Sequence, residues 1–223
     1  MSNLSDVQAE FLQLLVSSEA LRFGSFTLKS GRMSPYFVNT GAFHHGGDLG
    51  RIGRCYAAII RERIGDDVDL IFGPAYKGIP LALATAAAYE ELIGRPVAWC
   101  YDRKEAKDHG DGGSFVGAPL TAGTKTVLVD DVLTAGTALR ESIAKLAPTG
   151  INLAAAVISV DRQEPGPKGT GTAREEIAAD HALPVEAIIT ISEAVDYLEA
   201  NAVNGVRYLD ADQAATIRAH LGR

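Results

Sequence analysis

No apolar stretch of this chain approaches the ~20 residues needed to span a bilayer. Its opening Met-Ser-Asn-Leu-Ser-Asp lacks the cationic head and apolar core of a secretion signal. A cytoplasmic protein that makes no use of a membrane is therefore expected. Cysteine is scarce: Cys55 and Cys100 stand alone in 223 residues. Two such residues give neither a disulfide framework nor metal-ligand spacing, which fits a reducing compartment and argues against a cysteine nucleophile. Positive charge is in deficit. With 21 lysines and arginines against 28 aspartates and glutamates, the formal net charge is -7, which speaks against the basic surface that nucleic acids demand.

Several familiar signatures are missing as well. No glycine-rich dinucleotide fingerprint follows a strand, no Gly-Lys-Ser/Thr phosphate loop occurs, and Ser34 has no evident base. His44 and His45 are adjacent, without the i, i+4 spacing of a zinc helix or a nearby Glu or Cys partner, and read as loop. His181 and His220 have no motif around them, and no repeat at a fixed period is visible.

What is present is an alternation of strands and helices. Hydrophobic residues make up 47% of the chain, enough for one domain spanning 1–223, with residues 1–45 partly forming a small cap. Helical spacing covers Val7 to Ser17, Leu49 to Ile64, Ile79 to Leu92 and Ala138 to Leu146, and a further helix is expected at the carboxyl terminus. Short apolar runs read as strands at Asp69 to Phe72, Val97 to Tyr101, Thr126 to Val129, Leu153 to Val160 and Val185 to Ile191. Glycine-punctuated strand pieces from Phe23 to Tyr36 would make the cap. Lys104 to Gly117 and Glu164 to Thr172 read as loops. The pattern predicts an α/β fold with a central, mostly parallel sheet flanked by helices.

The most informative segment is Thr126 to Ala138, Thr-Val-Leu-Val-Asp-Asp-Val-Leu-Thr-Ala-Gly-Thr-Ala. A buried strand ends in paired carboxylates, passes through a small-residue turn and opens a helix. At such a strand end the helix presents unpaired amides and the positive end of its dipole. Thr134 and Thr137 add hydroxyl donors there, while Ala135 and Gly136 let an anion approach the backbone. Asp130 and Asp131 accept only, so they suit vicinal hydroxyls or a hydrated divalent cation. Sugar hydroxyls beside a phosphate point to a ribose 5-phosphate. The similar Thr121-Ala122-Gly123-Thr124 precedes the strand and lacks the carboxylates, so it reads as a connecting turn.

The string hydrophobic-Asp-Asp-x-x-Thr-Ala-Gly-Thr resembles the phosphoribosyl pyrophosphate (PRPP) motif of the type I phosphoribosyltransferase family. That resemblance implies the type I fold with a hood made by the cap, and PRPP held by Asp130, Asp131, Val132, Leu133, Thr134, Ala135, Gly136, Thr137 and Ala138. Four more segments are similar to the family's orotate-using members. Phe72-Gly73-Pro74-Ala75-Tyr76-Lys77-Gly78-Ile79-Pro80 resembles the pyrophosphate loop, with Tyr76 and Lys77 as PRPP contacts and a strained or cis peptide implied. Arg103-Lys104-Glu105-Ala106-Lys107-Asp108-His109-Gly110 resembles a catalytic lid. Its Arg103, Lys104, Lys107 and His109 would bind PRPP and stabilise the leaving pyrophosphate, and the glycines that follow suit a segment that opens and closes. In the family this 103–113 loop reaches into a neighbouring subunit, so a homodimer is implied.

Phe26-Thr27-Leu28-Lys29-Ser30-Gly31-Arg32 and Ser34-Pro35-Tyr36-Phe37 also match. They imply Lys29 at both substrates and Phe37 and Val38 along the base pocket, although many relatives carry an aromatic where Val38 stands. Asp161-Arg162-Gln163-Glu164 resembles the segment whose arginine holds the orotate carboxylate, a planar fork suited to that group; Thr134 would also touch the base. The implied activity is transfer of ribose 5-phosphate from PRPP to orotate with Mg2+ as cofactor. Asp130 and Asp131 would meet the metal only indirectly, through PRPP or water. Two alternatives stay open: a transferase for a purine or uracil, which Arg162 and Lys29 disfavour, and a PRPP-sensing regulator, which would have little use for the lid.

Overall fold

A computed structural model of the chain describes residues 4–27, 33–107 and 113–222. The elements in chain order are α1 (Asp6–Ser17), β1 (Leu21–Thr27), β2 (Met33–Val38), α2 (Gly46–Arg63), β3 (Leu70–Gly73), α3 (Gly78–Ile93), β4 (Ala98–Lys107) and β5 (Gly113–Gly117). They continue with β6 (Lys125–Leu133), α4 (Thr137–Leu146), β7 (Asn152–Asp161), α5 (Ala173–His181), β8 (Val185–Thr190), α6 (Ile191–Ala200) and α7 (Ala211–His220). Six strands form one sheet in the order β5-β4-β3-β6-β7-β8. Only β5 runs antiparallel to its neighbour.

The sheet is buried on both faces because its central strands carry continuous apolar runs, and the period-2 alternation divides them between two cores. Ile71, Val127, Val129 and Val157 pack with residues of α1, α2, α3, α6 and α7. Leu70, Phe72, Leu128 and Ile158 pack on the other side with Leu139 and Ile143 of α4 and Ile177 of α5. This is the helix-flanked, mostly parallel sheet expected. The segment read as a cap holds the antiparallel pair β1-β2, in which Leu21 pairs with Val38 and Phe23 with Tyr36.

Three elements depart from expectation. The segment from Lys104 to Gly117 is a strand hairpin over its described residues, since β4 runs on to Lys107 and β5 returns from Gly113. Its charged side chains tolerate an edge position, where one face and one flank meet water. Helix α5 was not anticipated, and the carboxyl-terminal region holds two helices rather than one. Among the described residues, no helix is long and apolar enough to cross a membrane.

Candidate active site

From β3 the chain crosses through α3 to β4 on one side, whereas β6 lies on the other side of β3. The strand order therefore reverses between β3 and β6, and ligands of open α/β sheets collect outside the carboxyl ends at such a point. The two segments facing each other there are the loop after β3 and the Asp130–Thr137 segment. The loop is tight for a steric reason. A Cβ on Gly73 would lie 2.1 Å from the Gly78 carbonyl oxygen, so only glycine lets α3 start this close to its strand. Within the loop the Ala75–Tyr76 peptide is cis. Lys77 then reaches across the cleft, its Nζ 2.8 Å from Asp131 Oδ2.

Asp131 is held from two further directions. Thr40 Oγ1 donates to its Oδ2 at 2.9 Å, and the Ser159 hydroxyl donates to its main-chain carbonyl. The Tyr56 hydroxyl donates to the Asp130 carbonyl at 2.6 Å, and the Asp131 amide donates to Asp130 Oδ1 at 2.9 Å. Burial, and then the Asp131 charge, push the Asp130 carboxyl up to about 7, against the pull of the Asp131 amide and Lys77. A pair of carboxylates fixed this way accepts hydroxyls or hydrated cations.

Beyond Leu133 the turn exposes Thr134, Ala135, Thr137 and Ala138, while Gly136 is buried. Gly136 has φ +80° and caps α4 without a side-chain hydrogen bond, which leaves the first-turn amides of α4 open to an anion. A Cβ there would meet Ile177 Cδ1 at 2.4 Å, so α5 closes the back of the turn.

On the other side of β6, β7 pairs Asp161 with Leu133. Arg162 therefore leaves the sheet beside the start of the Thr134–Thr137 turn. It is 6% exposed, its guanidinium stacks 5.2 Å from the Tyr36 ring, and its Nη2 lies 2.8 Å from Glu164 Oε1. The Asp161 carboxylate fixes this bend by accepting from the Gln163 amide at 2.8 Å and by pairing with Arg174 of α5. On β2, successive residues leave opposite faces. Val38 joins the core, and Phe37 stacks with Phe26 at 5.6 Å between centroids and meets Arg22. Val38 can therefore offer a base only its backbone.

The described part of the β4-β5 hairpin brings Lys104 Nζ to 5.1 Å from the Tyr76 ring centroid, a cation–π contact between this hairpin and the loop after β3. Tyr76 is 70% exposed, and Arg103 sits beside Lys104 on β4. Lys29, His109 and the Lys107 side chain lie outside the described residues.

The sequence reading missed the supports. Thr40 follows Asn39, whose side chain accepts from the Gly41 amide and caps a short 3-10 turn. Ser159 is a lone hydroxyl in the apolar run of β7 and Tyr56 looks like an ordinary core aromatic, so only the hydroxyl in an otherwise apolar strand was a usable signal. His44 and His45 stand just before α2 with rings 4.4 Å apart. Both cysteines are buried, and desolvation pushes Cys55 up to about 12 and Cys100 to about 11, as inert thiols should behave.

A sheet whose strand order reverses between a Tyr-Lys loop and an Asp-Asp-x-x-Thr-Ala-Gly-Thr turn agrees with what comparison finds. Residues 39–174 match the family model described as "Phosphoribosyl transferase domain", and the chain belongs to the phosphoribosyltransferase family. The orotate phosphoribosyltransferase of Thioalkalivibrio sulfidiphilus is 51% identical over 191 residues, covering 86% of this chain and 88% of its own length. That of Yersinia enterocolitica is 50% identical over 192 residues, with the same coverage. The solved orotate phosphoribosyltransferase of Francisella tularensis superposes with a TM-score of 0.77 at 38% identity, covering 94% of this chain and 98% of its own. Within the family, the chain falls among the orotate phosphoribosyltransferases.

Proposed function

We propose that the chain transfers the ribose 5-phosphate of PRPP to N1 of orotate, giving orotidine 5'-monophosphate and pyrophosphate, a step of pyrimidine nucleotide synthesis. The observation that carries this reading is the pairing of β6 with β7, which sets a buried arginine suited to a carboxylate beside a turn suited to a ribose phosphate.

Each group then has a task. The open amides of α4 with Thr134 and Thr137 take the 5-phosphate, and Asp130 and Asp131 take the ribose hydroxyls. Lys77 and the Tyr76 loop receive the pyrophosphate. Arg162, with the backbone at Phe37 and Val38, orients the base so that N1 faces C1 of the ribose. Bond breaking makes C1 cationic while charge grows on the departing pyrophosphate. Lys77, Arg103, Lys104, Lys107 and His109 stabilise that charge, which is where fixed cations contribute most to rate. Lid closure keeps water from the ribosyl cation.

The two carboxylates fit a Mg2+ ion held mainly by the substrate's own phosphates, because one or two carboxylates plus phosphate oxygens is that ion's usual protein setting. When bound, it neutralises pyrophosphate charge. Lys77 and Thr40 already occupy Asp131 Oδ2, which favours contact through water or the ribose over direct ligation. In the dimer implied by family likeness, the lid of one subunit also reaches the other's site, while Lys104 meets Tyr76 of its own chain.

The test is direct. The protein is incubated with Mg2+, PRPP and each of orotate, uracil, adenine, guanine and hypoxanthine, while base consumption and pyrophosphate release are followed. Release with orotate alone is expected; its absence there overturns the reading.

A further inference from the structure

Asp102 has no assigned part in the chemistry above, yet it is among the most buried charged side chains of the chain, at 3% exposure. It sits on β4 one residue beyond Tyr101, which pairs with Gly73 at the end of β3. It therefore lies level with the start of the pyrophosphate loop. Its Oδ1 accepts the Ala75 amide at 2.7 Å, and its Oδ2 accepts from Lys145 Nζ in the last turn of α4. One carboxylate thus joins the loop after β3, the strand that becomes the lid hairpin, and the helix whose first turn faces the phosphate.

A carboxylate this buried is costly unless both oxygens are partnered and its charge is met. Here both conditions hold. The pairing also has a direction of use: the Ala75 amide immediately precedes Tyr76 and Lys77, so fixing it limits where those two residues can point. Lys145, half exposed at 48%, has no comparable need of a partner, which makes it the supplier of compensating charge.

We propose that Asp102 is a positioning residue for the pyrophosphate half of the donor, with Lys145 holding its carboxylate in place; this rests on the reading that the Ala75–Lys77 loop binds PRPP. It acts through the loop and touches no substrate. It is a residue of PRPP affinity and not of base recognition.

Three variants test this, read by calorimetric binding of PRPP with Mg2+ in the absence of base and by separate KM values for PRPP and orotate. Asp102→Ala strands the Ala75 amide and should weaken PRPP binding about ten-fold or more, with KM for orotate within about two-fold. Asp102→Asn keeps an acceptor for that amide and should restore affinity to within about three-fold of the parent. Lys145→Met opens no buried cavity and should weaken PRPP binding about two- to five-fold. Should Asp102→Ala fail to fold, the other two variants decide. The proposal is overturned if Asp102→Asn binds PRPP ten-fold more weakly than the parent, if Lys145→Met matches the parent, or if both substrates' KM values rise together. A parent that does not bind PRPP sinks the proposed function and this inference with it. A parent that binds PRPP, with variants that match it, sinks this inference alone.

Discussion

Lys77 Nζ and Asp131 Oδ2 close a 2.8 Å ion pair across the cleft where the strand order reverses. The lysine is 57% exposed and the aspartate 15%, so water screens the pair, and exposed pairs contribute about 0–1 kcal/mol to stability. Its worth lies in the cleft. In the proposed reaction, two opposite charges parked on each other would be released as the donor offers pyrophosphate to one and ribose hydroxyls to the other.

Replacing Lys77 by Gln should therefore leave the melting temperature within about 2 °C of the parent while lowering kcat/KM for PRPP by about 10- to 100-fold. Thermal unfolding and steady-state kinetics measure the two. A large fall in melting temperature with intact kcat/KM would make the pair a structural clasp instead.

Asp130 gives a pH signature. Its native carboxyl sits at about 7, whereas in the unfolded chain it titrates near about 4. Between those values the folded chain holds more protons, so this group's contribution to stability is present below about pH 4 and is lost as pH rises to about 7. Asp130→Asn should accordingly unfold at a higher temperature than the parent at pH 8, and the gap should narrow as pH falls to 5 and close only below about pH 4. Thermal scans across pH 5 to 8 read this directly. A gap that stays constant with pH would place the Asp130 titration elsewhere.

The parallel strands were legible because burial on both faces leaves unbroken apolar runs, as at Val127-Leu128-Val129 and Ala155-Ala156-Val157-Ile158. The segment proposed to hold the donor could be read for a similar reason, since Asp130 to Thr137 is contiguous and its spacing is set by one turn. Helix α5 was obscured because its nine residues carry little apolar periodicity. Its legible sign was the capping box that Thr172 forms with Glu175, and Asp210 with Gln213 marks α7 the same way. The β4-β5 hairpin was hidden by its charges, and Asp102 with it, because a carboxylate next to Arg103 and Lys104 looks like one more member of a solvated run. Only the fold reveals that it points at Ala75. Contacts such as Thr40 to Asp131 join residues 91 apart in sequence, which no local pattern encodes.

The two glycines beside the cleft should respond differently to the same substitution. In Gly73→Ala the new Cβ meets backbone, the Gly78 carbonyl at 2.1 Å, which can move only if α3 moves. A loss of about 3 kcal/mol or more is expected. In Gly136→Ala the Cβ meets the flexible end of Ile177 at 2.4 Å, so the cost comes mainly from φ +80° and should be about 1–2 kcal/mol. Urea unfolding ranks them, and the reverse order would show that the α4 turn is the less forgiving of the two.

Arg162 and Glu164 set stability against affinity. The guanidinium sits over the Tyr36 ring and against Glu164 Oε1 at 2.8 Å, both ionised side chains being nearly enclosed. In the proposed reaction, the carboxylate of orotate needs the same fork that Glu164 engages. Glu164→Gln weakens that competitor while keeping its shape, so KM for orotate should fall about two- to five-fold as the melting temperature also falls, because a buried charge has lost its counter-charge. Arg162→Lys should act in the opposite sense on binding, raising KM for orotate about ten-fold or more, since an ammonium cannot reproduce the planar two-point contact. Neither change should move KM for PRPP beyond about two-fold, because the phosphate turn and the Tyr76–Lys77 loop are untouched. Steady-state kinetics with each substrate varied in turn gives all four numbers. If Glu164→Gln raises KM for orotate, Glu164 is holding Arg162 in its productive orientation and is not competing with the base.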